Sequence, residues 1–223
     1  MKGLIVSDFL LMRRVAGIYI LITAVFAGIA AFGGVNNIFF VVFFSYFASA
    51  VMLSVMDLDE RAGWPRYAVA GFASRRQYVL GKFCSAWILQ GGAAAVFLVL
   101  RLVRDLTSHI SLQSDFETVF FMLAMMVAAN AVMMLFQFPV TFKFGSARGR
   151  LISIAVVVVI AVGTGVFSAI AGSGASSSDA QLPGWVAALP SLSVLSVLLL
   201  AAAAVLYAAA VGLSLKLFAG KEL

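Results

Sequence analysis

DLDERAGWPRYAVAGFASRRQYVLGKF, residues 57–83, gathers three acids, five basic residues, one Trp, one Pro and two Tyr in a chain that is 64% hydrophobic and 11% charged overall. A segment this polar between long apolar runs reads as a connector outside a membrane. Its aromatic content asks for something to dock on as well as for solvent. Pro65 suits the first turn of a helix, where its missing N–H would have no partner anyway, so a helix is predicted to begin at Trp64 or Pro65. Trp64, Tyr67 and Gly71 recur at near-helical spacing while Arg66, Arg75 and Arg76 supply charge, a pattern for an element lying along a membrane surface. A solvated loop that only satisfied the cation bias of cytoplasmic connectors would need the charges but not the Trp, Pro and Tyr.

Outward from this stretch the chain is strongly apolar. The mean hydropathy is +1.11 over 223 residues, whereas charged residues alone fill about a quarter of an ordinary soluble chain. An all-α, polytopic membrane protein is expected. Windows of roughly 20 apolar residues, enough to cross about 30 Å of hydrocarbon as helix, fall at Val15–Gly33, Ile38–Met56, Tyr78–Leu100, Glu117–Phe138, Leu151–Ala171 and Ser191–Leu213. The first could imitate a signal peptide, with Lys2 before it and AGIAA within it, but its length and the runs that follow favour a span.

Of the 15 Lys and Arg, only Arg101 and Arg104 fall in the connectors on one side of these six windows. The rest flank the other ends, which places both termini in the cytoplasm by the positive-inside rule. The net charge of +6 is thereby accounted for without nucleic acid, since such cations hold topology and attract anionic headgroups. The cation-free GSGASSSD run lies within an external loop, 172–190. The LPGWVAALP that follows is either a short re-entrant helix or an interfacial anchor through Trp185.

Ion-coupled transporters keep titratable groups within their spans, yet here every acid falls in a connector or near a span end. Gln90, Asn130, Thr164 and Ser168 are the most central polar residues, and such groups more often join helix to helix than bind a substrate. Gly91–Ala95, GGAAA, suits close helix packing. Phe40, Phe43, Phe44 and Phe47 share one helix face, as do Met122, Met126, Asn130, Met133 and Gln137; methionines on such a face more often fill gaps between helices than grip cargo. There is no phosphate loop, no H-E-x-x-H and no G-x-S-x-G. His109 reads as a solvated loop residue and Cys84 as an inert small hydrophobe. No catalytic residue and no metal site is expected, one His and one Cys being too few for the common zinc patterns. Energy from ATP must then enter through another polypeptide.

The segment DERAGWPRYAVAGFASRRQYVLGKF resembles the D-E-x-S-G-W-x-x-Y-x-x-x-x-P-x-S-R-x-x-x-V-x-x-K-Y pattern of small six-span permeases of the ABC type-2 transporter family. The opening MKGLIVSDFLLMRR is similar to their M-K-G-L-x-x-K-D-x-x elbow, and FPVTFKFGSARGRLI to their P-x-x-F-K-F-G-x-x-K-G-R segment. Ala62 replaces the usual Ser and the usual Pro before Ser74–Arg75 is missing, which leaves the backbone between Gly71 and Arg75 open. The resemblance implies a single transmembrane permease domain over 1–223, with an interfacial elbow helix at 1–14 and a cytoplasmic coupling segment at 57–77. It implies a bacterial plasma-membrane complex containing a second six-span permease, as homodimer or heterodimer, and two cytoplasmic ATP-binding subunits that hold ATP and Mg. The coupling surface would comprise Glu60, Trp64, Arg66, Tyr67, Arg75 and Arg76. In the elbow, Leu4, Phe9 and Leu11 would anchor in the inner leaflet, with Arg13 and Arg14 toward phosphates. The second and fifth spans would flank the dimer axis, so that Phe40, Phe43, Phe44, Phe47, Thr164 and Ser168 line the translocation path. The expected function is export of an apolar or amphipathic cargo, a peptide in the first instance. The rivals are a lipid-modifying membrane enzyme, for which Asp57, Asp59 and Glu60 are the remote candidates, and an assembly module without transport.

Overall fold

In a computed structural model, residues 2–32, 37–71, 73–108, 116–156, 158–159 and 191–220 are described. Among them there is no strand. The helices are α1 (Lys2–Phe32), α2 (Asn37–Arg61), α3 (Trp64–Gly71), α4 (Arg75–Ser108), α5 (Phe116–Phe144), α6 (146–156) and α7 (Leu192–Ala219). Three of them, over Arg75–Val103, Phe116–Phe144 and Ser193–Ala219, are long and apolar enough to cross a membrane. The predicted fifth span is described only through 159, and the predicted external loop 172–190 and His109 lie outside the described residues.

Local chemistry sets the breaks. Gly63 at φ 69° and Gly145 at φ 94° occupy the left-handed region that ends α2 and α5. At the start of α4, the Gln77 N–H donates to Ser74 Oγ at 3.2 Å while the Ser74 N–H donates to Gln77 Oε1 at 3.0 Å. This is a reciprocal capping box, and it fixes the start of α4 at Ser74. α3 starts at Trp64, as its proline predicts, and the Ala73 N–H closes its end on the Ala68 carbonyl at 2.8 Å.

The expected elbow is not a separate element. α1 runs unbroken for 31 residues, because neither Pro nor Gly interrupts the chain between Leu4 and Ala16. Its first turns pack inward: Leu4 and Met12 are buried, and Leu4 covers Gly81 of α4. Phe9, Leu10, Arg13 and Arg14 remain exposed on the opposite side.

α7 lies along α5, α2 wedges against α5 and α4, and α1 packs on α4 and α2. Since lipid is as apolar as the side chains, such contacts rest on close packing and hydrogen bonds more than on water release. Phe83 meets Phe138 at 4.7 Å between ring centroids and Trp87 meets Tyr207 at 4.4 Å. Asn130 is the polar hub: its amide donates to the Ser45 carbonyl and to Ser49 Oγ, and its oxygen accepts from Tyr207. One side chain thus joins α2, α5 and α7, the helix-joining role anticipated for it. Met126 and Met133 on the same stripe are buried as packing residues. The GGAAA run does otherwise: Gly91 and Gly92 are exposed, with nothing near enough to meet an added Cβ. Among the described residues, therefore, nothing packs closely on the two glycines.

Candidate functional site

Three charged networks meet at the end of the bundle that carries α3. The first holds α6. Ser146 donates its backbone N–H to Glu60 Oε2 at 2.7 Å and its hydroxyl to Asp57 Oδ1 at 2.6 Å. Arg61 and Arg150 reach Asp57 Oδ2 at 2.9 and 3.5 Å. Two carboxylates thereby occupy the N-terminus of α6, where the helix dipole favours negative charge. Partial burial pushes the Asp57 carboxyl up, but the Ser146 hydrogen bond and the two guanidinium groups outweigh it, and the pKa falls below its ordinary value.

The second network is buried. Lys82 on α4 donates to Asp8 on α1 and to Asp59 on α2, and Ser85 Oγ donates to Asp8 Oδ2 at 2.7 Å. Asp8, Asp59 and Lys82 are each exposed by 2% or less, so they exchange charge with one another and hardly with water. Burial pushes the Asp59 carboxyl up, against the pull of Lys82. In the third network, Arg75 donates to the carbonyls of Phe218 and Ala219, neutralising the C-terminal end of α7.

The helix between these networks is held from both sides. Trp64 packs partly buried against the core while Tyr67 is 69% exposed and Arg66 points outward with it. The predicted coupling residues therefore divide. Arg66, Tyr67 and Arg76 are available to a partner; Glu60 and Arg75 secure α6 and α7, and Trp64 seats α3. The three acids considered for a catalytic role are each engaged in an internal contact.

The three stretches that carried the family resemblance converge here. Asp8 comes from the opening stretch, Asp59, Glu60 and Lys82 from the second, and Gly145, Ser146 and Arg150 from the third. A scan with family models matches residues 3–219 to the ABC-2 family transporter protein model. The chain belongs to the ABC-2 transporter family. Against curated proteins and against solved structures it shows no significant match. An ABC-2 family protein is a membrane transport component, a permease subunit.

Sequence patterns alone do not single out Asp8, Lys82 or Ser146 as partners. Lys82 looks like one more topology cation. The available signal is that Asp8 and Lys82 fall on the Asp and Lys letters of the family patterns. The predicted path residues are only partly in view in this ABC-2 chain. Phe44 is buried against Phe97, with 6.4 Å between centroids, and beside Met126; Phe43 and Phe47 are half-buried, and Phe47 meets Tyr19 edge-on at 5.1 Å. The Phe40 side chain, Thr164 and Ser168 lie outside the described residues.

Proposed function

We propose that this ABC-2 chain is the permease subunit of an ATP-driven exporter, in which α3 receives the motion of a separate cytoplasmic ATP-binding subunit that holds ATP and Mg. The observation that carries this reading is a short helix whose exposed face offers Arg66 and Tyr67 while both flanking helices are fastened to the bundle by Glu60, Lys82 and Arg75. A push on α3 would be passed to α1, α2, α4 and α6 together. Arg and Tyr are the side chains that most often dominate protein interfaces. Replacing Arg66 and Tyr67 together by Ala should leave insertion normal, because both are exposed, and reduce transport-coupled ATP hydrolysis on the order of tenfold. Unchanged hydrolysis and transport in that variant would remove α3 as the docking element. Glu60 is unsuitable for this test, since its loss would also release α6.

The full reading has six spans, both termini cytoplasmic, and a second permease copy or a paralogue completing the path. Two ATP-binding subunits would serve the pair in a bacterial plasma membrane. The asymmetry of cations supports the orientation. With Cys84 replaced by Ser, a Cys at Ser177 should react with an impermeant thiol reagent from outside intact cells, and one at the exposed Ala147 only after permeabilisation. The reverse pattern would invert the topology.

Cargo of apolar or amphipathic character, a peptide foremost, fits a path walled by aromatic rings, which grip varied apolar surfaces without a fixed hydrogen-bond pattern. Phe43 and Phe47 are the candidates in view for that wall, with Phe40, Thr164 and Ser168 continuing it; Phe44 contributes packing. Phe43→Ala with Phe47→Ala should lower export more than it lowers expression or assembly of the complex. Lost assembly would make the stripe a packing element, and undiminished export would move the path elsewhere.

A further inference from the structure

We propose that a groove between the start of α4 and the end of α7 binds the headgroup of an anionic phospholipid. The groove, about 470 Å³, is lined by Arg75, Arg76, Leu80, Leu215, Lys216 and Ala219. Among the described residues that line it, three are cations and none is an acid. Arg76 and Lys216 are exposed, and among the described residues neither forms an ion pair. Arg75 spends one guanidinium nitrogen on the last carbonyls of α7. That contact offsets the negative end of the α7 dipole, while the positive end of α4 opens into the same space. Among the described residues, the groove therefore carries a surplus of positive charge and no counterion.

Its position selects the occupant. Arg75 is the first residue of one apolar helix long enough to cross a membrane, and Lys216 lies in the last turn of another. Two such helices ending side by side put their terminal cations at headgroup depth, where basic side chains bind anionic lipid. Leu80, one turn into α4, and Leu215 supply apolar wall on the hydrocarbon side. A phosphodiester above and an acyl chain below match this division of the lining, whereas a free phosphate would use the cations alone. The surface offered to a protein partner is α3, with Tyr67 at its centre; among the described residues that line the groove there is no aromatic side chain.

The full-length chain, purified in micelles containing equal amounts of phosphatidylglycerol and phosphatidylcholine, should retain phosphatidylglycerol preferentially when its bound lipids are counted by native mass spectrometry. Arg76→Gln with Lys216→Gln should weaken that retention on the order of tenfold. Excess inorganic phosphate should not displace the lipid. A control pair of exposed cations away from the groove, Arg66→Gln with Lys143→Gln, should keep the preference. Equal retention of the two lipids by the unmodified chain, an equal loss in the control pair, or displacement by phosphate would each overturn the proposal. So would a groove variant that keeps its phosphatidylglycerol while losing the ATP-binding subunit, because the groove would then be a protein contact.

Discussion

Lys82→Met is expected to destabilise the folded chain by ~3–5 kcal/mol, the usual cost of removing one partner from a buried ion pair, while Asp8→Asn and Asp59→Asn cost much less. The asymmetry follows from the stoichiometry of the cluster, in which one ammonium serves two carboxylates, all three nearly excluded from water. Taking away the lysine leaves two carboxylates facing each other with no cation. Taking away either carboxylate leaves a balanced pair and an amide that still offers an oxygen to its neighbours. Thermal unfolding in micelles, followed by loss of the monodisperse species, measures the difference. Combining Lys82→Met with both Asn substitutions should recover part of the loss, since a neutral cluster has no buried charge left to compensate. A Lys82→Met protein as stable as Asp8→Asn would mean that the three groups are not a shared, water-excluded cluster.

The second large effect is expected at Gly149. A Cβ there would overlap Thr141 Oγ1 and lie 3.2 Å from Thr141 Cβ and 3.3 Å from Leu53 Cδ1. α6 therefore passes α5 and α2 at a separation that only glycine permits. Gly149→Ala should cost ~1–3 kcal/mol through overpacking, and Thr141→Ala in the same chain should relieve part of it because the two residues share one contact. Gly145→Ala adds a second penalty of a different kind. Its backbone is left-handed at φ 94°, and its Cβ would come 2.6 Å from Glu60 Oε1, which disturbs the carboxylate that holds the start of α6. Stability equal to that of the unmodified chain in all of these variants would contradict the close approach of α6.

Much of the helical order is legible in the residues. The proline at position 65 marks the start of α3, and apolar length marks α4, α5 and α7. Asn130 in the middle of a span announces a helix-joining contact, which the structure supplies through Ser45, Ser49 and Tyr207. Where the residues mislead, the cause is physical. Arg13 and Arg14 look like the border of a separate surface helix, but nothing in the backbone around them stops α1, and the inner stripe of Leu4, Asp8 and Met12 continues the span's packing on α4. Glu60 and Arg75 look like docking charges because they lie in a polar connector. Whether a charge faces a partner subunit or a helix terminus of its own chain is decided by tertiary placement, and spacing does not contain it. Asp8 and Lys82 are 74 positions apart, and no local period joins them. Only the family patterns, where both fall on fixed letters, hint that they belong together.

The central claim, that α3 receives a separate ATP-binding subunit, is tested most directly by placing a photo-cross-linking amino acid at Tyr67 and identifying its adducts from intact cells. The account predicts a covalent product with a cytoplasmic polypeptide bearing a phosphate loop, formed at position 67 and not from the same probe at Ser191, at the opposite end of α7. No such product at position 67, or one of equal yield at Ser191, would contradict it.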